Sequence, residues 1–73
     1  MEIDRTRAAW TQVRDALLKR LDDGTYPAGS KFPSVLEIAA EFSVANSTAQ
    51  RALVAIREGG RLRTEPGIGT FVL

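Results

Sequence analysis

Five hydrogen-bonding side chains occur within six consecutive positions near the middle of the chain: Asn46, Ser47, Thr48, Gln50 and Arg51. Short hydroxyl and amide groups bond phosphate oxygens, while Gln and Arg side chains can pair with purine edges in the major groove of DNA. If this run opens a helix, its backbone amides and dipole also attract a phosphate. An ordinary helix with a polar outer face fits these residues equally well, so both interpretations stay open at this point.

The composition leaves little material for catalysis. The chain contains no cysteine and no histidine, which removes disulfides, thiolate zinc sites, thiol nucleophiles and the most common general base. A small enzyme would have to build a nucleophile and a base from carboxylates, Lys, Ser, Thr and Tyr alone. We therefore predict a protein that is not an enzyme and that needs no metal or cofactor.

Positive charge is concentrated toward the C-terminal end of the chain. The formal net charge is only +1, but residues 46–73 hold four arginines against two glutamates. A protein that binds a polyanion needs local cationic surface rather than a large global charge. Solvated surface arginines explain the same pattern, and charge alone favours that simpler explanation.

A first helix is predicted over about residues 7–23. Apolar residues recur there at intervals of three and four, which places them on one helical face. The residues on that face are Trp10, Val13, Leu17 and Leu21. We expect Asp4 or Thr6 to cap the start of this helix, and Trp10 to be a core or subinterface aromatic rather than a platform for a ligand.

Two further helices position the polar run. Ser34 and Glu37 form the pattern of a capping box, which predicts a helix over about residues 35–42. Only about three residues separate it from the next helix, predicted over about residues 46–58, so the two helices must cross steeply. An apolar stripe on the last helix faces inward and turns the polar run outward. The stripe consists of Ala49, Ala52, Leu53 and Ile56.

The C-terminal sequence predicts a two-stranded hairpin over about residues 62–73, with Pro66–Gly69 as its turn. A hairpin is marginal alone and needs apolar anchors on the helices. The candidate anchors are Leu62, Phe71 and Ile68. Glycines at the tip either allow close approach to another molecule or serve the turn geometry only. A very short strand is also expected at Lys31 and Phe32.

Together these elements specify one domain over residues 1–73, mainly α with a small β-hairpin (α+β). It is a winged helix-turn-helix of three helices and a C-terminal two-stranded wing. Residues 1–6 are expected to form a flexible arm. No apolar run approaches the ~20 residues that span a bilayer, and the N-terminus lacks the apolar core of a secretory signal. We therefore expect a cytoplasmic protein that does not bind membranes.

Most of the chain, from about Trp10 to Val72, resembles the N-terminal DNA-binding domain of the GntR family of bacterial transcriptional regulators. The motifs are weak singly but specific in this order and spacing. They are Gly24-x-x-Pro27-x-Gly29, Pro33-Ser34 with Ile38-Ala39, Val44 before Ser47-Thr48, Arg51-Ala52-Leu53, and Gly67-x-Gly69-Thr70-Phe71-Val72. The resemblance implies a domain that binds palindromic operators as a dimer and normally joins a larger effector-binding or dimerisation domain.

The chain also departs from the family pattern. Arginines are usual in the family at three positions where other residues stand here, and a turn glycine, a capping serine and a basic wing residue are replaced at three more. In that order, the residues found here are Leu36, Asn46, Gln50, Ser43, Ala45 and Glu65. A positive φ at Ser43 would cost about 1 kcal/mol. The lost charge predicts weaker nonspecific DNA binding than is usual, with Gln50 and Arg51 carrying more of the sequence readout.

The resemblance implies double-stranded operator DNA as the partner, with helix 46–58 in the major groove and the wing alongside. Arg51 is the first candidate for a base contact. The full set of predicted DNA contacts is Asn46, Ser47, Thr48, Gln50, Arg51, Gly67, Gly69, Thr70, Ser34, Arg5 and Arg7. We expect an excised domain that is monomeric alone and homodimeric on DNA within its full-length protein. The alternative is a protein-interaction winged helix that has lost DNA binding, as the replaced arginines and near-neutral charge suggest.

Overall fold

Three helices are followed by a hairpin in the computed structural model, which describes residues 3–73. The elements are α1 (Ala9–Asp22), α2 (Val35–Phe42), α3 (Asn46–Glu58), β1 (Leu62–Glu65) and β2 (Gly69–Val72). This order confirms the predicted winged helix-turn-helix. Over the described residues, the helices are all too short or too polar to cross a bilayer.

The start of α1 differs from the prediction. Its N-cap position is Ala8, which makes no side-chain cap hydrogen bond. Asp4 closes a local turn instead, because its Oδ1 accepts hydrogen bonds from the backbone N and the Oγ1 of Thr6 at 2.9 and 2.7 Å. Those bonds to Thr6 also lower the pKa of Asp4. The prediction that Asp4 or Thr6 caps α1 is therefore wrong.

The residues that precede α1 pack against it rather than extending as a free arm. The buried Gln12 side chain accepts a hydrogen bond from the backbone N of Asp4 at 2.8 Å and donates one to the Asp4 carbonyl at 2.7 Å. Ile3 is 7% exposed and joins the core. A buried amide needs partners for its donors and acceptor, and this segment supplies them. Met1 and Glu2 of the predicted arm lie outside the described residues.

Both ends of α2 match the sequence pattern. At its start, Ser34 Oγ accepts a hydrogen bond from the Glu37 backbone N, and Glu37 Oε1 accepts one from the Ser34 backbone N, each at 3.2 Å. At its end, Ser43 has a φ of 55° and is left-handed. This confirms the predicted capping box and the positive φ, which costs a non-glycine residue about 1 kcal/mol.

One apolar core joins the helices to the hairpin. Its most buried large side chains are Phe42, Leu17, Ile38, Ile56 and Val13. Ala49 and Ala52 are fully buried, so the backbone of α3 lies close to its neighbours. Trp10 is only half-buried. It lies at the rim of the core between α1 and α3, where arginine side chains cover it.

A polar link ties α1 to α2. The guanidinium of Arg20 donates to the Tyr26 hydroxyl at 2.9 Å and forms an ion pair with Glu41. The hydrogen bond from Arg20 lowers the pKa of Glu41 and, with the Tyr26 bond, raises the pKa of Arg20. The rings of Tyr26 and Phe32 pack edge to face with centroids 5.1 Å apart, and Tyr26 packs against the core to which Phe32 belongs.

The hairpin receives a third, very short segment along β2. β1 and β2 pair antiparallel, with Leu62 opposite Val72 and Glu65 opposite Gly69. The backbone N of Phe32 donates to the Thr70 carbonyl at 2.7 Å, and Lys31 forms a single antiparallel bridge with Phe71. The expected short strand is thus present as a bridge.

Candidate nucleic-acid interface

The N-terminal half of α3 presents the polar run to solvent. Asn46, Ser47, Gln50 and Arg51 are exposed, and Thr48 is half-buried. Beneath them the alanine-leucine-isoleucine stripe is buried, because these residues recur at helical spacing against α1 and α2. The structure therefore brings the five predicted residues of α3 together on one accessible surface.

The first turn of α3 has no side-chain cap. Its N-cap residue, Ala45, has extended backbone and a methyl side chain that cannot accept a hydrogen bond. The first bond of the helix runs from the Ala49 amide to the Ala45 carbonyl at 3.1 Å. The amides of residues 46–48 have no acceptor among the described residues, so their partial positive charge faces solvent.

Arg51 is held by an aromatic ring rather than by an acid. Its guanidinium carbon lies 4.4 Å from the centroid of the Trp10 ring. The guanidinium of Arg14 lies 5.1 Å from the same ring and is paired with Asp15 at 2.9 Å. Within residues 3–73, Arg51 makes no ion pair and no side-chain hydrogen bond, so its donors remain open to an external acceptor.

The tip of the hairpin is a tight turn with an exposed apolar residue. The amide of Ile68 donates to the Glu65 carbonyl at 3.0 Å, and Gly67 has a φ of 76°, which suits the third position of a type II turn. Ile68 is 64% exposed, so its predicted role as a core anchor is wrong. Turn geometry points it away from the helices, while Leu62 is buried and Phe71 half-buried.

Lys31 is a cationic residue that the sequence did not single out. A Cβ built on Gly69 would lie 2.7 Å from Lys31 Cε and 3.5 Å from its Nζ, so the lysine side chain crosses the wing backbone at this glycine. Among the described residues Lys31 has no ion-pair partner. Its neighbour Phe32 and the predicted short strand were the available signal, because pairing with β2 brings this loop beside the wing.

Two other C-terminal arginines are already paired. Arg61 bonds Asp22 at 2.9 Å, and Arg63 pairs with Glu65 while lying over the Phe71 ring. These contacts partly neutralise the positive charge that the sequence places in residues 46–73. The cationic surface near the polar run is therefore smaller than a count of arginines suggests.

At the start of α2, Ser34 follows the family pattern and Leu36 departs from it. The Ser34 hydroxyl is engaged as the helix cap, which leaves only its own O–H free to donate. Leu36 is 69% exposed. The apolar side chain makes no hydrogen bonds to water, so its exposed surface is available for contact with a partner.

The predicted arm residues are not placed with α3. Arg7 lines a shallow groove with Gln12, Asp15 and Lys19. At 100° per residue, these three lie on the face of α1 opposite Trp10 and hence opposite Arg51. Arg5 is exposed. The structure thus places Arg7 away from the polar surface of α3.

Comparison with known proteins identifies the domain. Residues 10–72 match the sequence pattern of a family described as "Bacterial regulatory proteins, gntR family". The chain belongs to the GntR family. This confirms the family predicted from the sequence motifs and places the chain among DNA-binding domains of transcriptional regulators rather than among enzymes.

The GntR domain is similar to segments of longer regulators. It is 35% identical over 65 residues to an uncharacterised helix-turn-helix transcriptional regulator of Rhizobium meliloti (strain 1021), covering 89% of this chain and 27% of that protein. It is 30% identical over 63 residues to a histidine utilization repressor of Pseudomonas putida, covering 86% of this chain and 25% of that protein. The chain thus spans about a quarter of the length of these relatives.

Solved structures share the GntR fold. A GntR family transcriptional regulator from Listeria monocytogenes superposes with a TM-score of 0.91 at 30% identity, over 96% of this chain and 61% of that one. The DNA-binding domain of AraR in complex with an operator superposes with a TM-score of 0.81 at 26% identity, over 88% of this chain and 77% of that one. The architecture is therefore that of domains solved on operator DNA.

Proposed function

We propose that this chain binds double-stranded operator DNA, with α3 in the major groove and the hairpin alongside as a wing. The observation that carries the proposal is the exposed polar run of α3 on a fold shared with an AraR domain solved in complex with its operator. A helix fits the major groove, where base edges present distinct donor and acceptor patterns. The proposed interface is defined by the exposed part of residues 46–51 and by the wing tip.

Within α3 the side chains divide into two roles. Arg51 pairs with a guanine through two donors, and Gln50 offers the donor and acceptor that match an adenine edge. Asn46, Ser47 and Thr48 hold a phosphate together with the uncapped backbone amides of the same turn. Base readout and register on the DNA therefore come from adjacent turns of one helix.

The wing supplies backbone and charge. Gly67 and Gly69 let the hairpin tip approach a sugar-phosphate edge closely, and Thr70 contributes a hydroxyl to a phosphate. Lys31 adds a cation beside Gly69, since its Nζ lies 3.5 Å from the position that a Cβ on Gly69 would occupy. Ser34, Arg5 and Arg7 stay predictions that no observed contact with α3 supports.

The pairing of Arg61 and Arg63 supports the predicted weak nonspecific binding. The logarithm of the affinity falls linearly with the logarithm of the salt concentration, and each phosphate neutralised by a cation makes this fall steeper by about 0.9. We expect a shallower slope than for a GntR domain with arginines at all the usual positions. Fluorescence anisotropy of a labelled duplex across a salt series measures it, and a slope as steep as such a domain's would contradict the expectation.

We propose further that a longer regulator contains this domain, acts in the cytoplasm and binds its operator as a homodimer. The support is that relatives about four times as long contain the same segment. The isolated chain should be monomeric and should pair only on a duplex with two half-sites. Analytical ultracentrifugation with and without such a duplex tests this; a stable dimer without DNA would contradict it.

A second function, protein interaction without DNA binding, is favoured by one observation. Leu36 of α2 and Ile68 of the wing tip are 69% and 64% exposed. Exposed apolar side chains mark protein contacts as readily as contacts with thymine methyl groups.

One experiment separates the two functions. The 73-residue chain is used to select sequences from a random duplex pool, and backbone amide shifts are then followed as a selected duplex is added at low salt. DNA binding predicts enrichment of a sequence and shifts confined to residues 46–51 and 66–70. Absence of both at low salt would reject DNA binding and favour the protein-interaction function.

A further inference from the structure

We propose that Trp10 of α1 is a positioning residue for DNA reading, because it holds the Arg51 guanidinium in place before DNA arrives. The inference rests on the proposed function and goes beyond it by assigning specificity to a residue that does not itself contact DNA. It depends on one cluster, the Trp10 ring with the guanidinium groups of Arg14 and Arg51, which we call the indole cluster.

The geometry of the indole cluster favours preorganisation. A guanidinium stacked over an aromatic ring is attracted through its face, while its N–H donors lie in the guanidinium plane and point outward. The Arg51 guanidinium carbon lies 4.4 Å from the ring centroid, well inside the ~6 Å range of a cation–π contact. Trp10 therefore fixes the direction of Arg51 and leaves its fork free for two hydrogen bonds.

The two arginines on the ring are not equivalent. Arg14 is paired with Asp15 at 2.9 Å, whereas Arg51 has no acidic partner within residues 3–73. Arg14 thus has its charge compensated inside the molecule, and Arg51 carries the uncompensated charge on an exposed part of α3. Of the two, Arg51 is the one that an external anion or guanine edge can engage.

Free arginine side chains lose much rotamer freedom when they bind a base. Stacking on Trp10 removes part of that freedom in the unbound protein, so less is lost in the complex. Because the half-buried ring is anchored in α1 and Arg51 in α3, the direction of the fork depends on how these two helices pack. This also explains why a tryptophan stands at the rim of the core rather than inside it.

The test is a double-mutant cycle on the full 73-residue chain. A duplex selected by the wild-type chain and a scrambled duplex are compared by anisotropy for W10L, W10F, R51A and W10L/R51A, with R14Q as the matched control. We expect W10L to reduce the ratio of specific to nonspecific affinity by about three- to tenfold, W10F by less, and R14Q by less than about twofold. In the R51A background, W10L should have no further effect on this ratio, because the side chain that it positions is gone.

The outcomes separate this inference from the proposed function. Thermal unfolding of each variant, followed by circular dichroism, checks that the fold persists, and W10F keeps the test valid if W10L unfolds. If the wild-type chain enriches no sequence, the proposed function and the role of Trp10 both fail. If it does, and W10L or W10F either keeps the wild-type ratio or lowers it equally with and without Arg51, only the positioning role of Trp10 is overturned. A rise in the ratio would mean that the ring withholds Arg51 and would overturn it too.

Discussion

The N-termini of α2 and α3 are built differently, although only a short turn separates the two helices. α2 starts with a complete capping box between Ser34 and Glu37. α3 starts at Ala45 without any side-chain cap. A helix start left uncapped costs about 1 kcal/mol relative to a serine cap. The start of α2 is therefore capped by its own side chain, while the first amides of α3 are left uncapped, and the proposed function assigns these amides to a phosphate.

The largest expected effect is on DNA reading by α3. Replacing Arg51 with alanine should weaken binding to the selected duplex by about 1–3 kcal/mol and relax specificity at one base, because a bidentate pair is lost. Stability should hardly change, since the side chain is exposed. Anisotropy against duplexes with single base changes measures both. Arg57→Ala, on the last turn of the same helix, is the control, and an equal loss there would contradict a base contact by Arg51.

A charge at the α3 start should separate stability from binding. Ala45→Asp supplies a cap and complements the dipole, so it should raise the free energy of unfolding by about 1 kcal/mol. The same carboxylate repels a phosphate at that turn and should lower DNA affinity by about tenfold. Urea unfolding and anisotropy measure the two effects.

Ala45→Asn is the matched control for that variant, because it caps the helix without a charge. It should stabilise the protein similarly while largely preserving DNA binding. If Ala45→Asp bound the selected duplex as tightly as Ala45→Asn, no phosphate would lie at this turn.

Removing the α2 cap should lower stability and leave DNA affinity nearly unchanged, in contrast to adding a charged cap to α3. Ser34→Ala should lower the free energy of unfolding by about 1 kcal/mol, because the Glu37 amide loses its acceptor. DNA affinity should stay near that of the wild type. Ser47→Ala in the first turn of α3 should instead lower DNA affinity and leave the free energy of unfolding within about 0.5 kcal/mol of the wild-type value. A marked loss of affinity in Ser34→Ala would support the predicted DNA contact of Ser34.

The left-handed residue between the two helices offers a smaller gain. Ser43→Gly should raise the free energy of unfolding by about 0.5–1 kcal/mol, because glycine adopts the observed φ of 55° without a Cβ penalty. Urea unfolding is the measurement. Ala28→Gly, at an exposed loop residue that has no positive φ, should not stabilise, and a gain there as large as at Ser43 would argue against relief of strain.

The smallest expected effect is on acid stability, and it belongs to the α2 side. The pKa of Glu41 is lowered by its bond to Arg20, so this pair stabilises the folded state above the ordinary glutamate pKa of 4.5 and loses that contribution as the pH falls through the lowered value. Because the pair is partly exposed, the contribution is about 0.5 kcal/mol or less. Glu41→Gln should flatten the decline in the free energy of unfolding below about pH 4.5. If the decline were unchanged, the acid loss of stability would arise from protonation of other carboxylates.

Much of the fold could be predicted from the sequence because the signals are local. Three signals depend only on neighbours within a few residues: the period of apolar residues, the Ser34–Glu37 pair and the Pro-Gly turn. The helices, the capping box and the hairpin that these signals predict are all present. The exposed polar run on α3 followed from the same reasoning, since a buried stripe fixes the opposite face.

Errors occurred where distant parts of the chain decide the outcome. The helical apolar spacing of Trp10 gave no sign that two arginine side chains lie over its ring, one of them from forty-one residues away. Ile68 is apolar, yet the turn points it to solvent. Lys31 gained importance only because its loop pairs with β2.

By itself the sequence determined the order of the helices, the capping of α2, the outward face of α3 and the family to which the domain belongs. Only the tertiary structure decided which cations remain unpaired, where Arg51 is held and what covers Gly69. The physical reason is that helix and turn preferences arise within a few residues, whereas ion pairs and ring stacks depend on contacts between segments far apart in the chain.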